Sequence, residues 1–251
     1  MTGLIVQLSY SKIAEKEPGI STLSECFFIT KNIIACYSQG VRKGNMKPMK
    51  PFKYFENFIL IGTYIIPFSS ESIYEYPDCN ISLIVLDKSY DVEIPKMSIL
   101  YGHKDSQIYI ECFNNVLYQL DFKLSWAGKK LNILSHNLDK FYVKNNGKAG
   151  KTFSVYFADA RFKGIDEKEL MKGKKPLKIL YLTFENKYEC DQGSPVYDTK
   201  TNEFLGMIIR DDKSEDGKSY EYKAVSSVEF IKLMKKQGII KKKPWYRFGF
   251  S

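Results

Sequence analysis

Cys190-Asp191-Gln192-Gly193-Ser194-Pro195-Val196 joins a chain breaker to a strand opener. Asp191-Gln192-Gly193 reads as a tight turn, because aspartate and glycine favour turn conformations, and 195–197 reads as a short strand. Working outward, the nearest β-rich runs are 177–184 on one side and 204–209 and 220–224 on the other. The same pattern reaches back through 4–8, 26–30, 33–37, 58–66, 81–86, 108–113, 117–124, 130–134 and 152–158. Breakers separate these runs, among them Glu17-Pro18-Gly19, Lys47-Pro48, Asn145-Asn146-Gly147 and Glu215-Asp216-Gly217. About a dozen short strands predict an all-β chain of barrels or a sandwich.

Two segments read as helix. Residues 166–172 are short and lysine-rich, which predicts a single turn within a loop. Residues 226–237 predict a full helix. Ser226 or Ser227 caps it, Glu229 lies in its first turn, and Val228, Phe230, Ile231 and Met234 form an apolar face. Lys235 and Lys236 suit the negative end of the helix dipole, and Gly238 stops it.

The chain has 251 residues, 44% of them hydrophobic, so it can bury a core without staples and is not disordered as a whole. No apolar run reaches membrane-spanning length, which predicts no membrane partner. Met1–Leu8 lacks the basic start and long apolar core of a signal peptide, which predicts an intracellular protein of the cytoplasm or nucleus. Cys26, Cys36, Cys79, Cys112 and Cys190 are scattered, with no Cys-x-x-Cys pair and no Cys/His cluster. That spacing predicts reduced, buried thiols and neither metal nor cofactor. Histidine occurs only at His103 and His136, so imidazole chemistry has little material. The net charge is +9, from 38 basic and 29 acidic residues.

Residues 190–196 resemble the Gly-Asp-Ser-Gly-(Gly/Ser)-Pro signature of chymotrypsin-like serine proteases. In that family the loop presents the nucleophile and turns backbone N–H groups toward the developing oxyanion. Asp191, Gly193, Ser194 and Pro195 match, whereas Gln192 stands at the nucleophile position and Cys190 at the oxyanion-hole glycine. Residues 24–38 resemble the family's strand pair leading to its histidine, with Ser38 at the histidine position. Asn80-Ile81-Ser82-Leu83-Ile84-Val85-Leu86 resembles the strand that carries the aspartate, with Asn80 at that position. Asp78, two residues earlier on the same strand face, only approximates its role. Leu124-Ser125-Trp126-Ala127-Gly128 is similar to the strand that opens the second barrel, and Leu205-Gly206-Met207-Ile208-Ile209 to the strand that follows the nucleophile loop.

The resemblance implies two antiparallel six-stranded β-barrels of the chymotrypsin-like type with a C-terminal helix. The first barrel is expected over residues 1–115. The second is expected over 116–251, closed by helix 226–237 and ending in a basic aromatic tail. It also implies lost catalysis, because Ser38, Asn80 and Gln192 are not bases at neutral pH and an amide is not a useful nucleophile. Ile209-Arg210-Asp211 takes the place of the family's Ser-Trp-Gly substrate strand, and Asn186 stands near the specificity-pocket base, which implies a partly filled cleft.

Binding is then the expected function, with a protein partner and an adaptor or scaffold role. Arg210 and Asp211 flank the old cleft. Lys241, Lys242, Lys243 and Trp245 belong to a tail in which residues 232–251 hold seven basic and no acidic residues. The alternatives are a nucleic-acid-binding protein that uses this tail and the lysine-rich stretch 140–178, or a divergent serine-type endopeptidase; Cys190 as a thiol nucleophile is a separate route to cleavage.

Overall fold

The computed structural model describes residues 2–10, 19–48, 50, 53–61, 64–98, 107–113, 118–119, 122–123, 132–133, 142–143, 155–170, 172–184, 192–213 and 220–238. The strands of the first half are β1 Thr2–Tyr10, β2 Gly19–Thr30, β3 Ile33–Tyr37, β4 Tyr54–Ile61, β5 Tyr64–Phe68, β6 Ile73–Tyr76 and β7 Ile81–Val85. Then come β8 Gln107–Phe113 and four two-residue strands, β9 Tyr118–Gln119, β10 Phe122–Lys123, β11 Asn132–Ile133 and β12 Tyr142–Val143. The chain continues with β13 Val155–Lys168, β14 Leu177–Phe184, β15 Pro195–Asp198, β16 Phe204–Lys213, β17 Tyr220–Ser226 and α1 Ser227–Lys236.

β1 to β7 form one antiparallel sheet in the order β5-β4-β1-β2-β3-β7-β6. β13-β14-β17-β16-β15-β8 close into an antiparallel barrel. This is the chymotrypsin-like two-barrel architecture with its C-terminal helix. The first sheet counts seven strands because the run expected as 58–66 divides and because β6, absent from the expected strands, pairs with β7. The two parts of the divided run, β4 and β5, pair with Ile61 opposite Tyr64, and the turn Ser70–Ser72 then separates β5 from β6. Pro67 in β5 has no N–H to give to a ladder, which suits a strand at the sheet's edge.

Two expectations are corrected. The boundary placed at residue 115 assigns 107–113 to the first barrel, but β8 lies in the second, between β13 and β15. Its Ile108 and Ile110 are buried among Leu180, Leu182, Val196 and Ile208, so packing assigns the strand. The helical turn expected at 166–172 is also absent. Residues 166–168 end β13, with Asp166 opposite Ile179 and Lys168 opposite Leu177. The lysines there are exposed, and such a polar hairpin end has no apolar period by which a sequence can reveal its strand. The expected helix at 226–237 forms as α1, with the Ser226 hydroxyl accepting the Val228 N–H at 3.4 Å.

Strand alternation builds three apolar layers. Cys26 and Phe28 of β2, Ile34 and Cys36 of β3 and Ile84 of β7 pack inside the first sheet. The alternate residues Phe27, Ile29, Ile33, Ala35, Ile81 and Leu83 face the second barrel. There they meet Ile179, Phe204, Met207, Ile209 and Val225, together with Phe230 and Met234 of α1. A third layer fills the second barrel. With both faces buried, β2, β3 and β7 read as nearly unbroken apolar runs instead of alternating ones.

Three rings tie the halves together. Phe27 lies 5.0 Å from Phe204 and 6.1 Å from Phe230, and Phe204 lies 5.3 Å from Phe230, all measured between centroids. These rings are fully buried, so truncation leaves a cavity between the barrels. Phe204→Ala is expected to cost about 3–5 kcal/mol, read as a shifted urea midpoint in one cooperative transition. A loss below about 1 kcal/mol would show that the layer does not hold the fold.

Candidate functional site

Ser38 follows directly after β3 and is buried. Its N–H donates to the Asn80 carbonyl at 3.0 Å, and its own carbonyl accepts from the Val41 N–H and from Arg42 Nε. The Ser38 hydroxyl has no hydrogen-bond partner among the described residues. Asn80 sits between the one-turn segment Pro77–Cys79 and β7, in the left-handed region at φ 55°. Asparagine tolerates that conformation better than other non-glycine residues. The positions expected from the histidine and aspartate strands therefore do meet, through their backbones.

Asp78 does not take the role considered for it. It lies in the turn, not on a strand, and its exposed carboxylate pairs with Lys174 at 3.3 Å.

The loop at Gln192 comes from the second barrel but rests on the first. Gly193 has φ +106°, and a Cβ there would stand 2.9 Å from the Glu25 carbonyl oxygen. Only glycine fits both demands without strain. The Gly193 N–H donates to the Ile208 carbonyl, and the Ile208 N–H donates to the Ser194 carbonyl, each at 2.9 Å. The Ser194 hydroxyl donates to Glu25 Oε2 at 2.5 Å. Glu25 is only 2% exposed, and Ser194 is fully buried. The Ser24 hydroxyl accepts the Tyr37 N–H at 3.3 Å, so the same stretch of β2 leads to Ser38. One connected set of contacts thus joins Gln192–Ser194, Ser24–Glu25, Tyr37–Ser38 and Asn80.

Glu25 was not singled out in the sequence. The available signal is a lone carboxylate at the start of the apolar run Cys26-Phe27-Phe28-Ile29. A charge there needs a buried partner, and Ser194 supplies one.

The described thiols are poor nucleophiles. Burial pushes the Cys26 thiol far above its ordinary value, with Cys36 and Glu25 adding to the shift, and burial raises Cys36 as well. Burial pushes Cys79 up to about 12. Thiolate is the reactive form, so these residues are unreactive near neutral pH. Among the described residues no group of three His, Cys, Asp or Glu could hold a metal ion.

Several expected site residues lie partly or wholly outside the described residues. Cys190, Asp191 and Asn186 do, as do His103, His136, the strand 124–128, the stretch 140–141 and 144–151, and Lys241, Lys242, Lys243 and Trp245. The backbones of Arg210 and Asp211 are described, opposite Lys223 and Tyr222 of β17 and beyond a bulge at 208–210. β15 pairs β16 only through Phe204–Met207, so 210–213 has β17 as its one strand partner among the described residues.

Solved structures similar to this chain include chymotrypsin-fold proteases. The active form of the Rv3671c protease from M. tuberculosis aligns with TM-score 0.55 and 9% identity, covering 94% of this chain and 81% of that one. An inactive-form mutant of the same protease aligns with TM-score 0.52 and 9% identity, over 95% of this chain and 88% of that one. No protein-family model matches the chain, and no curated protein matches its sequence. The chain has the fold of these proteases. No helix among the described residues is long and apolar enough to cross a membrane.

The Glu25–Ser194 bond is expected to show in stability. Ser194→Ala should cost about 1.5–3 kcal/mol, because it removes a donor from a buried carboxylate. Combining it with Glu25→Ala should cost less than the two single losses added, as measured by urea unfolding of all four proteins. Strict additivity would mean that the two side chains do not interact.

Proposed function

We propose that this chain is a catalytically inactive homologue of chymotrypsin-fold proteases that acts as an adaptor or scaffold by binding a protein partner. One observation carries the reading. At the three positions matched to the triad stand Ser38, Asn80 and Gln192, and the Ser38 and Asn80 backbones are hydrogen-bonded to each other. The side chains at these positions offer neither a base nor a nucleophile. The neighbouring hydroxyl, Ser194, is no substitute. It is sealed against Glu25, away from any substrate.

A protease scaffold without chemistry keeps its capacity to bind. The backbone at 210–213, partnered by β17 on one side, suits an extended segment that adds as a further strand through main-chain hydrogen bonds. Arg210 and Asp211 then select the partner.

The alternative is nucleic-acid binding, favoured by exposed Lys172 and Lys175 before β14 and by Lys235 and Lys236 at the end of α1. Phosphate contacts would continue into Lys241, Lys242 and Lys243.

Fluorogenic peptides are expected to stay uncut by the purified chain. Cleavage that disappears in Cys190→Ala would overturn the inactive reading in favour of a thiol peptidase. Affinity purification from native cells is expected to recover a stoichiometric protein that survives nuclease and high salt, and to lose it in the Arg210→Ala, Asp211→Ala double variant. Association that vanishes with nuclease and weakens roughly 10³–10⁵-fold between about 50 and 200 mM salt would favour nucleic acid instead.

A further inference from the structure

A cavity of about 520 Å³ lies where the turn Pro77–Cys79 meets residues 173–177 and the second half of α1. That volume falls in the range of small-molecule sites, roughly 300–1,000 Å³. Ser38, Asn80 and Gln192 are not among its lining residues. Its apolar wall is made by Pro77, Leu177 and Leu233, and it is bordered by Tyr76 and Cys79.

The charges around it are unequal once internal pairing is counted. Two of the three acidic groups on the wall are paired with lysines, and the third, Glu75, accepts a backbone N–H. The Glu75 carboxylate accepts the Lys43 N–H, Asp78 pairs with Lys174 at 3.3 Å, and Glu229 accepts from Lys232 Nζ at 2.8 Å and from the Lys178 N–H at 3.3 Å. Two lysines on the wall, Lys175 and Lys236, have no ion pair among the described residues. They reach the cavity from different elements, one from the segment before β14 and one from α1. The Tyr76 hydroxyl is buried and makes no hydrogen bond of ordinary geometry among the described residues. Burial raises its pKa and the Gln237 side chain offsets part of that shift, and with no accessible surface the hydroxyl stays closed to a ligand in the cavity.

Two ammonium groups without an ion pair among the described residues, beside an apolar wall, suit a ligand that is apolar in body and anionic at one end. We propose that this cavity binds a small amphiphilic anion. Its apolar body rests on Pro77, Leu177 and Leu233, and its carboxylate or phosphate lies between Lys175 and Lys236. The site is separate from the strand edge at 210–213 and does not depend on the adaptor reading.

The test is calorimetric titration of the full chain with octanoate and with octyl phosphate, both below micelle-forming concentration. Octyl glucoside supplies the neutral control and inorganic phosphate the headgroup alone. At least one amphiphilic anion is expected to bind with Kd below about 1 mM, and the stronger of the two names the headgroup. The two controls are expected to bind at least about tenfold more weakly. Lys175→Gln with Lys236→Gln should weaken binding by about tenfold or more, with an unchanged unfolding midpoint because both side chains are exposed. Equal binding of octyl glucoside, unchanged affinity in the double lysine variant, or no binding of either anion would overturn the proposal.

Discussion

One face of β2 holds this molecule together. Glu25, Phe27 and Ile29 alternate along the strand and share a side. Phe27 meets Phe204 and Phe230, Ile29 joins the same apolar layer, and Glu25 takes the hydrogen bond from Ser194. The layer joins sheet, barrel and helix, because each contributes a ring to the contact. The two halves therefore do not behave as independent domains, each with a finished surface of its own. Each exposes an unfinished apolar face that the other covers, and their stabilities are coupled through it.

The polar end of that face explains why the Gln192 loop has its present form. A buried carboxylate costs free energy unless hydrogen-bonded, so Glu25 requires a donor from across the interface. Ser194 provides it, and Gly193 lets the loop come close enough to do so. The loop is thus held by a first-barrel strand as well as by its own barrel through Ile208. The restraints that set the loop's geometry run through Gly193, Ser194 and the glutamate beneath them.

Much of this was legible in the sequence for definite reasons. The apolar runs at 26–30, 33–37, 81–86 and 204–209 are strands because residues on both faces have somewhere to go. Ser226, Glu229 and Gly238 mark the helix because caps and stops are local chemistry. Asn80 and Ser38 could be placed near one another because a known architecture orders them. What stayed hidden depends on partners far away in sequence. β8 belongs to the second barrel only by virtue of its pairing with β13 and β15, which no local pattern around residue 115 records. The end of β13 is polar and exposed, so its strand character comes from its register with β14 alone. Glu25 gains its meaning from Ser194, 169 residues later.

The distribution of charge follows from the same construction. The interface consumes the apolar faces of β2, β3, β7, β16 and α1, whereas the strand edge at 210–213 and the rim where the halves meet beside α1 lie outside it. On that rim the acidic groups are used up internally, Glu229 by the backbone before Ile179 and by Lys232, and Asp78 by Lys174. Surface ion pairs of this kind add little stability when exposed. Their larger consequence is electrostatic, since pairing off the carboxylates leaves lysines to set the local potential.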